Sequence, residues 1–414
     1  LGRVWTYDYD DALDVREMVE PTGESLRLKW CDCGSPSSIT DQLGGTTIRS
    51  FEHPWKRMTS LTDARGNLTQ YVYDEGGNLS QTIYADNSVE RFADYTPEGL
   101  AQTYTNRRGQ SIAYRYTSSG QLERRTLPDG SYSDFAYDAR GNLTSAEEYS
   151  ADGTTKLTSY YYDYPTSGDR LRRVTYPNGH WVEFFYDRFG RRERLVDSTG
   201  QDLSYEYDGA ARLTRLRDAD HNVIVQYHYD SAGRLSRVTK GNGTYTTYLY
   251  DSADQLRVLT NYAPDDRLNS RFEYTYDRRG RRTAMATVDG DWTYAYDATG
   301  QLSHARFVAR NAEVPDQDLE YHYDAVGNRT FTVSNGLRTD YKVNSLNQYT
   351  GVGGLVLDYD LDGNLVSDGT HRYEYDPLKR LVSVTGPDSV SKYEYDAFGT
   401  RRFEIVNGDE QTFL

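Results

Sequence analysis

One nine-residue pattern recurs along this chain from end to end, and it restricts what the chain can become. It stands in full as Tyr227-His228-Tyr229-Asp230-Ser231-Ala232-Gly233-Arg234-Leu235. Tyrosines two apart share one face of an extended chain, and tyrosine is a favoured strand residue. Asp230 and Gly233 fall at the first and fourth positions of a type I β-turn. The carboxylate can accept hydrogen bonds from the amides just ahead of it. The glycine can take the positive φ that a type I turn plus bulge requires. Leu235 then resumes the apolar alternation. The pattern predicts a strand, a turn and a second strand.

The same corner is written by Tyr71, Tyr73, Asp74 and Gly77, by Tyr137, Asp138 and Gly141 after Phe135, and by Tyr205, Tyr207 and Asp208. Tyr274, Tyr276, Asp277 and Gly280 repeat it, as do Tyr294, Tyr296, Asp297 and Gly300. So do Tyr321, Tyr323, Asp324 and Gly327, and Tyr393, Tyr395, Asp396 and Gly399. Aligned on the aspartate, nineteen copies succeed one another at steps of 16 to 27 residues. Cys31, Pro54, Thr96 and Asn344 are placed by this register more than by the motif. A period of this length marks a repeat architecture. Between the corners lie second turns such as Pro128-Asp129-Gly130 and Pro177-Asn178-Gly179, and Asx-Gly pairs between alternating runs are strong hairpin signals. Each repeat therefore reads as two strands and two turns. The expected fold is all-β: one long antiparallel sheet of hairpins, its tyrosines stacked in ladders with their hydroxyls at the wet edge.

These residues resemble the YD repeats of the Rhs family, which occur in Tc toxin C components, Rhs polymorphic toxins, bacterial wall-associated proteins and animal teneurins. The resemblance covers essentially residues 1–414 as a single continuous array. It implies that the sheet spirals into a hollow shell or barrel, since a long sheet must hide or close its edges. It also implies a C-terminal effector enclosed by the shell, in a large secreted or cell-surface protein of bacterial type. The chain opens on Leu1-Gly2-Arg3, the tail of a turn lacking its Tyr-x-Tyr-Asp, and closes on Thr412-Phe413-Leu414, half of a strand. This predicts a segment of a larger protein, cut at both ends. In toxin members a self-cleaving aspartate lies in a core segment that follows the repeats, and no such segment is present in this sequence. Asp376-Pro377 belongs to a repeat corner instead.

Composition agrees with a thin wall. Tyrosine supplies 39 of 414 residues, and without it, with glycine counted in, the apolar share is roughly 35%. An ordinary globular domain reaches about 45–50%. Disordered chains are depleted in aromatics, whereas this one has 14%. The net charge of −16 disfavours nucleic acid, which asks for a basic surface. It keeps extended β-surfaces apart, or alternatively lines a lumen suited to a basic guest. No run is long and apolar enough for a membrane span.

Chemistry is sparse by comparison. An aspartate stands at most corners, so no carboxylate pair is singled out for acid–base work, and turn structure explains them all. Asp218-Ala219-Asp220 and Asp360-Leu361-Asp362 begin like calcium loops, but Val223 and Leu365 stand where glycine is needed, and Tyr229 and His371 where a bidentate glutamate is. Cys31 and Cys33 make at most half a zinc site, and cysteines this close bond to each other only with strain. A structural role, or a metal or disulfide role shared with other sequence, both remain open for them. His228 and His322 occupy the face opposite the tyrosines. No catalytic, cofactor or metal residue is expected. The function read from the sequence is a non-enzymatic shell that carries an effector. The alternative is an adhesion or carbohydrate-binding module, its exposed aromatics stacking on sugars.

Overall fold

A computed structural model describes residues 3–52, 56–154, 156–164 and 170–412. Pro54, and the terminal Leu1-Gly2 and Phe413-Leu414, lie outside the described residues. The described residues form forty β-strands and no α-helix. Thirty-three strands, ending with Leu355–Val356, belong to one sheet, and seven from Asp358–Tyr359 onward form another. The pairings between successive strands are antiparallel, as in the strand Val223–Tyr229 against Leu235–Lys240. The all-β expectation and the long antiparallel sheet are what the structure has.

The corner geometry follows from its residues. At Asp230 the N–H of Gly233 donates to the Asp230 carbonyl at 3.0 Å, and the Asp230 N–H donates to the Arg234 carbonyl at 2.8 Å. The ladder slips by one residue between His228 and Tyr229, the bulge that lets the strand re-enter the sheet. Gly233 sits at φ 83°, a left-handed conformation that glycine adopts without a Cβ clash. In the Tyr205 copy that place falls to Ala211, at φ 63°. Many second turns share this construction: the Gly130 N–H donates to the Leu127 carbonyl and the Leu127 N–H to the Ser131 carbonyl. Others are tighter, with the Thr287 N–H donating to the Gly290 carbonyl and the Gly386 N–H to that of Ser389.

The buried layer is thin. Ile112, Ala146 and Thr260 are essentially closed off from solvent, and Phe135, Tyr274 and Phe307 nearly so. The accessible surface is 23762 Å². A compact monomer of 47.4 kDa is expected to expose about 16,000 Å², and two compact bodies of half that mass about 20,000 Å². The excess is that of sheet with solvent near both faces. By spatial contact the chain falls into two units, residues 1–48 with 184–339, and residues 49–183 with 340–414.

Candidate functional site

The aspartates of the full copies are turn acceptors, while at the first copy Asp10 takes that place and Asp8 pairs with Arg16. Asp230 Oδ1 takes the N–H groups of Ala232 and Arg234, both at 2.9 Å. Asp138, Asp208, Asp277, Asp324 and Asp396 accept the same two amides in their own corners, and Asp74 and Asp297 accept the farther one. The side-chain amide of Asn142 and backbone N–H donors hold the Asp138 carboxyl down at about 2. The Arg234 amide and guanidinium hold Asp230 below the usual carboxylate range. Hydrogen bonds to the ionised form favour it, so these carboxylates are held as turn acceptors.

The second tyrosine of most corners does something the sequence reading missed. Its hydroxyl was expected at the wet edge, yet it points back along the sheet and donates to a backbone carbonyl of the preceding repeat. Tyr73 reaches Met58, Tyr137 reaches Leu122, Tyr207 reaches Arg192 and Tyr229 reaches Leu213, at 2.8 to 2.9 Å. Tyr276, Tyr296, Tyr323 and Tyr395 do the same to Leu256, Arg282, Leu302 and Leu381, at 2.7 to 2.9 Å. The bulge at each corner exposes that carbonyl, and a phenol is long enough to reach it. This explains tyrosine in place of phenylalanine. Burial raises the phenols of Tyr73, Tyr137, Tyr207 and Tyr395 above their ordinary value. The first tyrosines, Tyr71, Tyr205, Tyr227, Tyr294, Tyr321 and Tyr393, are half-buried on the same face, and Tyr274 is buried.

A second tie runs forward, from the residue four after the aspartate. Arg234 holds Asp230 Oδ2 at 2.8 Å, donates to the Asp251 carbonyl of the next corner at 3.3 Å, and covers the Tyr250 ring at 4.7 Å. Arg281 treats Asp277, Asp297 and Tyr296 alike, and Arg380 treats Asp376, Asp396 and Tyr395 alike. Gln121 and Gln348 at this position donate to the carbonyls of Gly141 and Gly363. The recurring Gly-Arg, Gly-Gln and Gly-Asn pairs were the available signal, passed over as turn tails. Each repeat is thus clipped to its neighbours by side chains as well as by the ladder.

Contacts between distant stretches form a further set. In the first unit, Arg279 packs its guanidinium 2.5 Å from a carboxylate oxygen of Glu20, and Arg3 bonds Gln255. In the second, Lys379 meets Glu90 at 3.0 Å, and Arg125 donates to the Ala397 carbonyl at 2.9 Å. The Tyr160 hydroxyl donates to Asp396 at 2.7 Å. The partners stand 236 to 289 residues apart in these second-unit contacts. In most of them a second turn, or the strand end beside it, meets a Tyr-Asp corner.

The remaining candidates take ordinary places. Cys31 and Cys33 are joined in a disulfide across a corner, where the turn brings their Cα atoms to 5.0 Å, so the partner of each is the other. Asp218 accepts amides in its own turn, and Asp362 pairs with Arg108. His228 is exposed, and His322 stacks on Phe331 at 3.9 Å. Among the described residues no group of three or more His, Cys, Asp or Glu side chains could hold a metal ion, and no helix is long and apolar enough to cross a membrane.

What the geometry defines is a YD-repeat β-wall. The family model of the teneurin YD-shell matches residues 147–265 and 260–413, and that of the Rhs repeat matches residues 53–89 and 116–155. The chain belongs to the YD-shell family. It is 25% identical over 468 residues to double-stranded DNA deaminase toxin A of Burkholderia cenocepacia (strain H111), covering 97% of this chain and 31% of that protein. It is 36% identical over 103 residues to the tRNA3(Ser)-specific nuclease WapA of Bacillus spizizenii, covering 23% of this chain and 4% of that one. Among solved structures, TcdB2-TccC3 superposes with a TM-score of 0.64 at 16% identity, over 97% of this chain and 26% of that one. The chain spans less than a third of the length of each of these relatives.

Proposed function

We propose that this chain is a non-enzymatic stretch of shell wall that encloses and carries an effector of a larger secreted or cell-surface protein. The observation that carries the reading is the set of side-chain ties joining stretches 236 to 289 residues apart. A strip of hairpins meets itself at such separations when it is wound, and winding is how a long sheet disposes of its edges. The thin buried layer and the large accessible surface support a wall more than a solid body. The likeness to toxin chains supports an effector as the guest, with the chemistry residing in that effector. On this reading the chain is a single continuous array. The Tyr, Asp and Gly residues of its corners act as structural clips, and it needs no cofactor, metal or nucleic acid. Arginines lie over several tyrosine rings and carbonyls take the second tyrosines' hydroxyls, which weighs against stacking on a glycan.

Fusing an unfolded, lysine-rich reporter peptide after Leu414 tests containment. Trypsin is expected to cut the fused reporter much more slowly than the free peptide while the wall is native, and equally fast once the wall is denatured. Equal rates on the native fusion would contradict containment by this chain.

A further inference from the structure

The wall has one break in its backbone ladder that falls inside a single unit and is described on both sides. The strand Leu355–Val356 ends the larger sheet, and Asp358–Tyr359 begins the smaller one. The Leu357 N–H turns back to Thr350, within its own hairpin. The cause is visible in the sequence: the corners Asn344, Asp360 and Asp376 follow at steps of 16 residues, the shortest in the chain. That leaves strands of only four, two, two and three residues, from Tyr349–Val352 to Leu365–Ser367. The next pairing, Ser367 with Arg372, is a single residue pair. Leu355, Val356 and Leu361 are more than half exposed around the break.

Side chains replace the missing ladder. Two clips cross it directly, the Tyr359 hydroxyl on the Tyr349 carbonyl at 2.9 Å and Gln348 Nε2 on the Gly363 carbonyl at 3.1 Å. The stronger bridge comes from the continuous strands between Arg57–Thr62 and Ser111–Tyr116, which grip both sides. On one side Arg65 donates to the Asn344 carbonyl at 3.0 Å and to Asn347 Oδ1 at 2.9 Å. On the other, the Arg107 N–H and the Arg108 guanidinium close on Asp362, whose side chain is wholly buried. Arg108 also donates to the carbonyls of Tyr375 and Asp376 at 3.2 and 2.8 Å.

We propose that the line between Val356 and Asp358 is a built-in parting line of the wall, held shut by the latch of Arg108 on Asp362. Ladder hydrogen bonds break cooperatively over whole strands, whereas this line can open by releasing a few side chains while the strands on either side stay paired. The inference stands whatever the wall encloses.

Native-state hydrogen exchange on the 414-residue chain tests it. Amides of residues 349–372 are expected to exchange faster than those of Leu337–Val343 and Leu381–Thr385, the longer strands on either side. Arg108→Ala is expected to speed the 349–372 amides at least roughly tenfold and to leave those of Val223–Tyr229 unchanged. Equal protection of 349–372 and its flanks in the unaltered chain would overturn the parting line, and that comparison holds even if the variant does not fold. Uniform acceleration in Arg108→Ala would overturn the latch.

Discussion

Arg279→Ala is expected to lower stability by about 3–5 kcal/mol, the usual cost of removing one partner of a buried ion pair. The side chains of Arg279 and Glu20 retain only 12% and 5% of their exposure. Their contact is charge on charge, since that oxygen of Glu20 has no aligned hydrogen bond. Gln42 satisfies the other oxygen at 2.9 Å. Without Arg279 the carboxylate stays buried with its charge uncompensated. The denaturant midpoint should therefore fall with little change in slope. Adding Glu20→Gln to Arg279→Ala should recover part of the loss, because it removes the stranded charge. A variant as stable as the parent would mean that this contact does not hold residues 1–48 to the later stretch.

Alkaline pH should unfold the wall cooperatively. The hydroxyl clips work only while the phenol keeps its proton. Burial raises the phenols of Tyr73, Tyr95, Tyr116, Tyr250, Tyr296 and Tyr323 above their ordinary value. Tyr84 and Tyr162, again mainly through burial, are pushed up to about 12. A folded-state pKa above the unfolded one means that the contribution is fully present below about pH 10 and is lost as the pH rises through the raised values. Because many repeats share the device, the losses accumulate in one direction. The share of tyrosinate absorbance that comes from these raised phenols should appear together with the loss of β-sheet circular dichroism, in one transition above about pH 10. Complete tyrosine ionisation with the sheet intact would show that the hydroxyl clips carry no stability.

The sequence disclosed the fold because its signal is periodic. Tyr229, Asp230 and Gly233 each have a local role, in the strand, the turn and the left-handed position, and local roles repeat with the motif. The clip of Tyr229 on Leu213 was not legible, since it joins residues 16 apart across a bulge whose geometry emerges only on folding. Arg234 was hidden for a related reason. Arg, Gln and Asn all serve at its position with different bonds, so the position looked variable. The ties between Glu20 and Arg279 or Arg108 and Asp362 have no motif, because they join turns more than 250 residues apart that only folding brings together. The shortened steps at Asn344, Asp360 and Asp376 were in plain view, but only the broken ladder at Leu357 gives them meaning. Cys31 and Cys33 were left open because their pairing depends on a turn that only register had placed there.

Small-angle scattering from the 414-residue chain tests the central claim, that the repeats form a wall around a space. A compact chain of this length has a radius of gyration of about 22 Å. A hollow wall should give a larger value and a pair-distance distribution shifted to long distances. A radius near 22 Å with the distribution of a solid particle would contradict it, and would leave a closed stack of hairpins with no interior to fill.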